Sequence, residues 1–286
     1  MKIAIVSGKG GTGKSSITAA FIALSPKVIA IDSDVDASNL PLLFEHEIKE
    51  KEPFVSGNHV VIDHELCTQC GMCVDHCAYH SISLENAKIE VNQVLCEGCG
   101  LCQHLCPQQA ITLVDEAKSV IYQSHFEHGV LVHGHLNPGD DNSGKMVARI
   151  RTIADQQQEK ENIALQLLDG PPGIGCPVLS TITGMDRVII VCEPTQSGIS
   201  DLKRIYQVTL SFCRNMLVII NKCNINKQEY KAIRHFCKCL KLPILAELPF
   251  DRKMVEAQVK KETIITYAPQ SPCALSLKEA YKRMLK

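Results

Sequence analysis

Two groups of residues in this 286-residue chain have the types and spacing to do chemistry, and the two chemistries differ. The first group is Gly8-Lys9-Gly10-Gly11-Thr12-Gly13-Lys14-Ser15, followed by Ser16, which fits the pattern G-x-x-x-x-G-K-[ST]. Glycines at these places let a backbone wrap a phosphate group so that successive N–H groups point inward. A lysine at position 14 reaches terminal phosphate oxygens, and a hydroxyl at position 15 meets Mg²⁺. The second group is eight cysteines between Cys67 and Cys106. Cys67, Cys70, Cys73 and Cys77 run C-x2-C-x2-C-x3-C, and Cys96, Cys99, Cys102 and Cys106 repeat the run 29 residues later. Three regularly spaced thiols on one tight loop suit a polynuclear iron centre, whereas zinc sites commonly use paired C-x2-C arms.

Each group needs elements to position it. Lys2–Ser7 reads as a buried strand, residues 15–24 as a helix and Val28–Ile31 as a second strand, so the glycine loop lies at a strand-to-helix turn. Further apolar runs at Ile163–Leu168, Arg187–Cys192, Met216–Ile220 and Pro243–Leu248 alternate with stretches long enough for helices. That alternation predicts an α/β fold, a doubly wound, mostly parallel sheet. The cysteine-rich stretch interrupts it, which predicts an inserted small α+β module: residues 1–57 and 118–286 form one domain, and 58–117 the insertion. Residues 119–147, with His125, His128, His133 and His135, read as a strand and loop rejoining the larger domain.

Composition narrows the function classes. A net charge of −1 argues against a broad nucleic-acid-binding face. No apolar run approaches the ~20 residues of a membrane span, and the expectation is a cytoplasmic protein. Fifteen cysteines without a secretory pattern point to metal or cluster ligation rather than a disulfide framework.

The glycine loop, with its extra Lys9, resembles the deviant Walker A motif of the MinD/ParA/nitrogenase-iron-protein superfamily. Asp32-Ser-Asp34 resembles that family's first switch and Leu168-Asp169-Gly-Pro-Pro-Gly173 its second. The resemblance implies ATP and Mg²⁺ as ligands, Lys14 on the phosphates, Asp34 placing the attacking water and Asp169 holding the metal shell. It also implies an ATP-dependent homodimer in which Lys9 reaches the partner's nucleotide. Asn221 resembles the family's adenine-contacting asparagine, and Glu193–Gly198 and Leu248–Asp251, with Pro249, fall where such proteins close the base pocket.

The tandem cysteine runs are similar to bacterial two-cluster ferredoxins, in which the fourth cysteine of each run serves the other cluster. One [4Fe–4S] cluster is then expected on Cys67, Cys70, Cys73 and Cys106, the other on Cys96, Cys99, Cys102 and Cys77. Ala78 departs from the pattern, because Cys106 alone is followed by proline. Together the two resemblances imply an ATPase that couples nucleotide state to electron transfer with a redox protein. The competing use is a cluster-assembly carrier that serves an apo iron–sulfur protein. A spatial switch is a third use, although the tail Leu275–Lys286 reads as a docked surface helix and not a membrane anchor.

Three weaker features remain. Gly139–Lys145 also reads G-x-x-x-x-G-K, but Met146 replaces the magnesium-binding hydroxyl and two aspartates lie inside, so it reads as a surface turn. Cys176, Cys237 and Cys239 are outlying candidates for metal ligation, while Cys192, Cys213, Cys223 and Cys273 read as small buried hydrophobes.

Overall fold

The structure is a computed structural model that describes residues 1–55, 57–116, 119–137 and 142–286. The chain divides into two compact units. The larger comprises Met1–Glu52, Ile121–His135 and Ser143–Lys286, the smaller Pro53–Val120 and Leu136–Asn142.

The larger unit is built on a nine-stranded sheet. Its strands are β1 (Lys2–Ser7), β2 (Val28–Asp32), β3 (His46–Phe54), β8 (Ser119–Phe126), β9 (Gly129–His135), β10 (Gln166–Pro172), β11 (Arg187–Cys192), β12 (Met216–Ile220) and β13 (Ile244–Glu247). Their order is β13-β12-β11-β1-β10-β2-β9-β8-β3, and every pairing from β13 to β9 is parallel. β2 and β11 are buried along nearly their whole length, which a parallel sheet requires when helices cover both faces. On one face Ile3, Ile5, Val28, Ala30 and Leu167 pack with α1 (Lys14–Leu24), α9 (Ile264–Tyr267) and α10 (Pro272–Met284). α4 (Ser143–Glu161), α5 (Cys176–Ile182) and α6 (Gln196–Leu210) pack on β9, β10 and β11. Fully burying each such aliphatic side chain contributes ~1.5–3 kcal/mol. The loops at the strand ends are therefore held by a covered sheet and not by their own propensity. α7 (Lys227–Cys239) and α8 (Arg252–Val259) complete this unit.

Three expectations meet the structure differently. Residues 119–147 form two strands and the start of α4, because the segment adds β8 and β9 to the sheet before the helix begins. Residues 138–141 lie outside the described residues, so only the end of the Gly139–Lys145 turn is described, and Ser143–Lys145 open α4. The tail helix docks as expected: Cys273, Ala274, Leu277, Ala280 and Met284 are buried in the core, and Leu275, Glu279 and Lys282 are exposed. Among the described residues no helix is long and apolar enough to cross a membrane.

The smaller unit contains two antiparallel pairs, β4 (Gly57–Ile62) with β7 (Ile111–Glu116) and β5 (Ile82–Glu85) with β6 (Lys88–Val91). Two one-turn helices, α2 (Met72–Asp75) and α3 (Leu101–Leu105), lie inside the cysteine runs. Its buried apolar centre is small: Val60, Ile62, Ile82, Ile89 and Ile111, with six of the cysteines packed against it.

Candidate functional site

Strand β1 ends in the glycine loop, and α1 starts at Lys14, so the loop's N–H groups sit at a helix N-terminus where anions are favoured. Gly11 and Gly13 have φ of 78° and 87°, which side chains rarely adopt. At Gly13 a Cβ would also lie 2.4 Å from Asn221 Nδ2. β1 lies between β10 and β11, the place in the strand order where the windings part, and ligands bind at such a point outside the strands' carboxyl ends.

Three carboxylates converge there. Asp169 pairs in register with Ile5 on one side and Asp32 on the other. Lys14 Nζ lies 2.9 Å from Asp169 Oδ1, an ion pair almost wholly removed from water, and the Thr18 hydroxyl donates to the same oxygen at 3.0 Å. Asp169 Oδ2 and Thr12 Oγ1 are buried and have no hydrogen-bond partner among the described residues. Asp32 accepts from the Asp34 and Leu40 N–H groups and from the Ser38 hydroxyl, which fixes the loop carrying Asp34 to the end of β2. Burial, then the charge of Asp169, pushes the Asp32 carboxyl up to about 7. Burial also raises Asp34, with Lys14 acting against it.

A cleft of about 700 Å³ opens above this array. Gly10–Ser16, Asp34, Asn221, Pro249 and Phe250 line it, as do Leu42, Val255 and Val259. Asn221 donates through Nδ2 to the Thr12 carbonyl and accepts the Lys222 N–H, so it ties the glycine loop to the end of β12. The Gln258 amide donates to the Ser16 hydroxyl at 2.6 Å, bringing α8 onto the loop.

Glu193–Gly198 does not line that cleft. It lies against Gly8 and Lys9 instead, because β11 neighbours β1 and delivers Glu193 beside the loop. Lys9 Nζ lies 2.8 Å from Glu193 Oε1 and donates to the Thr195 and Ser197 hydroxyls. Lys222 holds the other oxygen, Glu193 Oε2, also at 2.8 Å. Burial acts to raise Glu193, but Lys222 and Lys9 outweigh it and keep its carboxyl below the usual range. Neither this two-lysine clamp nor the Gln258 tie has a local sequence signal; the partners are far apart in the chain and meet only through strand order.

The smaller unit places the eight predicted cysteines around two cavities. Cys67, Cys70, Cys73 and Cys106 line one, with Ile62, Met72, Ile89 and Ile111. Cys77, Cys96, Cys99 and Cys102 line the other with Cys73, Val60, Tyr79 and Glu97. All eight thiols are free, and Cys70 and Cys99 are exposed. Left-handed backbone recurs with the same 29-residue offset as the sequence: Gln69 and Gly98, Gly71 and Gly100, His80 and Gln109. Burial raises the Cys73 and Cys102 thiols. Burial opposes ionisation of Cys77 too, but the Ser81 hydroxyl and N–H groups of Ser81, Tyr79 and Ile82 hold it below its ordinary value. Among the described residues no three His, Cys, Asp or Glu side chains are placed to hold one metal ion. A four-iron cluster makes a different demand, since its cysteines bind separate irons spread around a cavity and do not converge on a point. Four thiols around one cavity, and four around the other with Cys73 common to both, fit that demand.

Of the outlying candidates, Cys176 and Cys239 are exposed and Cys237 is buried; of the four expected small hydrophobes, Cys192, Cys213 and Cys273 are buried and Cys223 is half-buried. His133 is buried and stacks on Tyr122 at 5.0 Å.

Residues 3–264 match the CobQ/CobB/MinD/ParA nucleotide-binding domain family. The chain is 34% identical to the uncharacterized protein MJ0578 of Methanocaldococcus jannaschii, across 99% of this chain and 96% of that one. It is 22% identical to the uncharacterized ATP-binding protein MJ0547 of the same organism, across 99% and 87%. Its fold is similar to the septum site-determining protein MinD of Pyrococcus horikoshii, solved with Mg-ADP, at a TM-score of 0.60 with 19% identity over 100% and 96% of the two chains.

Proposed function

Because the chain belongs to the CobQ/CobB/MinD/ParA nucleotide-binding family, we propose that it is an Mg-ATP hydrolase whose nucleotide state is coupled to electron transfer through two [4Fe–4S] clusters. The observation that carries the reading is the pairing, in one chain, of a complete phosphate loop with two cysteine-lined cavities that share Cys73.

In the nucleotide site Lys14, whose Nζ contacts both Asp169 and the Ser15 hydroxyl, would bind the β- and γ-phosphates and leave Asp169 as the chain's anion. Ser15 and Asp169 would hold Mg²⁺, and the buried, unpartnered Asp169 Oδ2 and Thr12 Oγ1 supply acceptor and donor capacity for the metal shell and a phosphate oxygen. Asp34, raised by burial, is suited to orient the attacking water and take its proton. Asp32 is a positioning residue for Asp34, through the hydrogen bonds that fix its loop. Asn221 and Pro249, which line the cleft, would flank the base. In a homodimer, Lys9 would exchange Glu193 for the partner subunit's nucleotide.

In the smaller unit, Cys67, Cys70, Cys73 and Cys106 would hold one cluster, and Cys77, Cys96, Cys99 and Cys102 the other. When bound, the clusters store and pass single electrons. The thiols provide charge and spacing, and the aliphatic cavity walls limit water. The exposure of Cys70 and Cys99 favours a second reading, a carrier that passes a labile cluster to an apo iron–sulfur protein.

Anaerobic purification followed by metal analysis tests the proposal. It expects about eight iron atoms per chain, four for each cluster, with ATP hydrolysis that needs Mg²⁺. Stoichiometric zinc without iron would overturn it. A partner captured from anaerobic extract separates the two uses: a redox enzyme supports electron transfer, and a cluster-lacking apoprotein supports the carrier.

A further inference from the structure

We infer that Ser81 makes the two cluster sites unequal, giving the Cys77, Cys96, Cys99 and Cys102 site the higher reduction potential. The inference rests on the cluster reading above. Its observation is a broken symmetry. The two cysteine runs repeat with a 29-residue offset, and their left-handed backbone positions repeat with it. Cys77 corresponds to Cys106, and the residue four places on is Ser81 in one half and Ala110 in the other.

Ser81 Oγ lies 3.2 Å from Cys77 Sγ. Ala110 gives Cys106 Sγ its backbone N–H at 3.3 Å and has no side-chain donor to add. Both residues are buried, Ser81 at 3% and Ala110 at 1% exposure, so water does not take the hydroxyl's place or compete for it. A cluster-bound sulfur carries negative charge, and an added electron increases it. A donor aimed at that sulfur therefore stabilises the reduced state more than the oxidised one and raises the potential. One carboxylate works the other way, since Glu97 lines the same cavity. Glu97 is exposed and screened by solvent, whereas the Ser81 hydroxyl touches the ligand sulfur, so the hydroxyl decides the sign. The step is a one-electron reduction: an external low-potential donor gives one electron, a 2+ cluster core becomes 1+, and the Ser81 proton stays on its oxygen. The first electron settles on the Cys77 side.

The test is an anaerobic potentiometric titration with dithionite, followed by electron paramagnetic resonance, on the wild type, Ser81→Ala and Ala110→Ser. The wild type should show two one-electron steps, and Cys70→Ser, which removes a ligand from the other site, should retain the upper one. Ser81→Ala should lower the upper step by on the order of tenfold in electron partition, about 59 mV for one electron. Ala110→Ser should raise the lower step. Should Ser81→Ala lose its iron, the shift in Ala110→Ser decides alone. Unchanged potentials in the iron-loaded variants, or retention of the lower step in Cys70→Ser, would overturn the inference. Failure of the cluster reading looks different: a wild type with neither iron nor a resonance signal.

Discussion

The nucleotide loop and the cysteine loops are both tight, glycine-bearing turns that aim donors or ligands inward, yet they stand on different foundations. The nucleotide loop ends a central strand of a sheet buried on both faces, and its two lysines already have counter-ions, Asp169 for Lys14 and Glu193 for Lys9. The cysteine loops surround five buried aliphatic residues and carry eight free thiols. One region has its lysine charges paired before its ligand arrives. The other has most of its interior chemistry still to complete. Small cores of this kind usually need a metal or other staple, and metal-binding energy then becomes folding energy.

The largest expected effect follows from that contrast. Removing iron with a chelator under oxidising conditions should open the smaller unit to protease within Pro53–Val120, while the larger unit stays resistant and still binds nucleotide. If the iron-free protein is equally resistant in both units, the contrast is wrong. Next in size is Lys14→Ala. It removes the cation for the phosphates and strands a buried carboxylate, and breaking such a pair costs ~3–5 kcal/mol. Calorimetry should show ATP binding abolished, and thermal unfolding should show lowered stability of the nucleotide-free protein. A loss of binding with no loss of stability would mean that Asp169 does not depend on Lys14 in the free protein.

Much of this contrast could be read from the sequence, and the reasons for the rest are physical. Strands β1, β11 and β12 are unbroken apolar runs at Lys2–Ser7, Arg187–Cys192 and Met216–Ile220, and a strand buried on both faces leaves that trace. The 29-residue cysteine repeat reappears as a repeat of left-handed backbone. Long-range polar pairing leaves no such trace. Glu193 meets Lys9 and Lys222 only because β11 neighbours β1 and β12. Asp32 looked like a companion of Asp34, but burial and three donors make it the residue that holds Asp34's loop. His133 gave no sign of being buried, since its surroundings depend on Tyr122 and His46 from other strands.

Lys9→Ala should have a narrower effect than Lys14→Ala. Its amine contacts Glu193, Thr195 and Ser197 and not Asp169, so ATP affinity of the monomer should change by less than about threefold, within the range of partly exposed ion pairs. ATP-dependent dimerisation should nevertheless fall at least tenfold by sedimentation, and normal dimerisation would remove Lys9 from the intersubunit role. A pH dependence confined to the larger unit is expected as well. Burial, with His46 and His135 nearby, lowers His133 from its ordinary 6.5 to about 4. The unfolded chain then binds the proton more readily, so this contribution is full above pH ~6.5 and is lost as pH falls toward 4. The full shift is worth ~3 kcal/mol. Asp32, raised to about 7, changes stability in the opposite sense over that interval. Comparing wild type with His133→Gln isolates the histidine: the variant should lose less stability between pH 6.5 and 4.5, and parallel curves would show that His133 is not buried uncharged.

The proposed function joins the two regions, and that junction is the central claim. Coupling between binding events is reciprocal, so if ATP shifts the cluster potentials, cluster oxidation state must shift ATP affinity by the same factor. Titrating ATP anaerobically into fully oxidised and fully reduced protein measures it directly. The account predicts dissociation constants that differ by ~5- to 150-fold, the range of a 1–3 kcal/mol coupling. Equal dissociation constants in the two states would contradict it and leave the smaller unit a passenger on the ATPase.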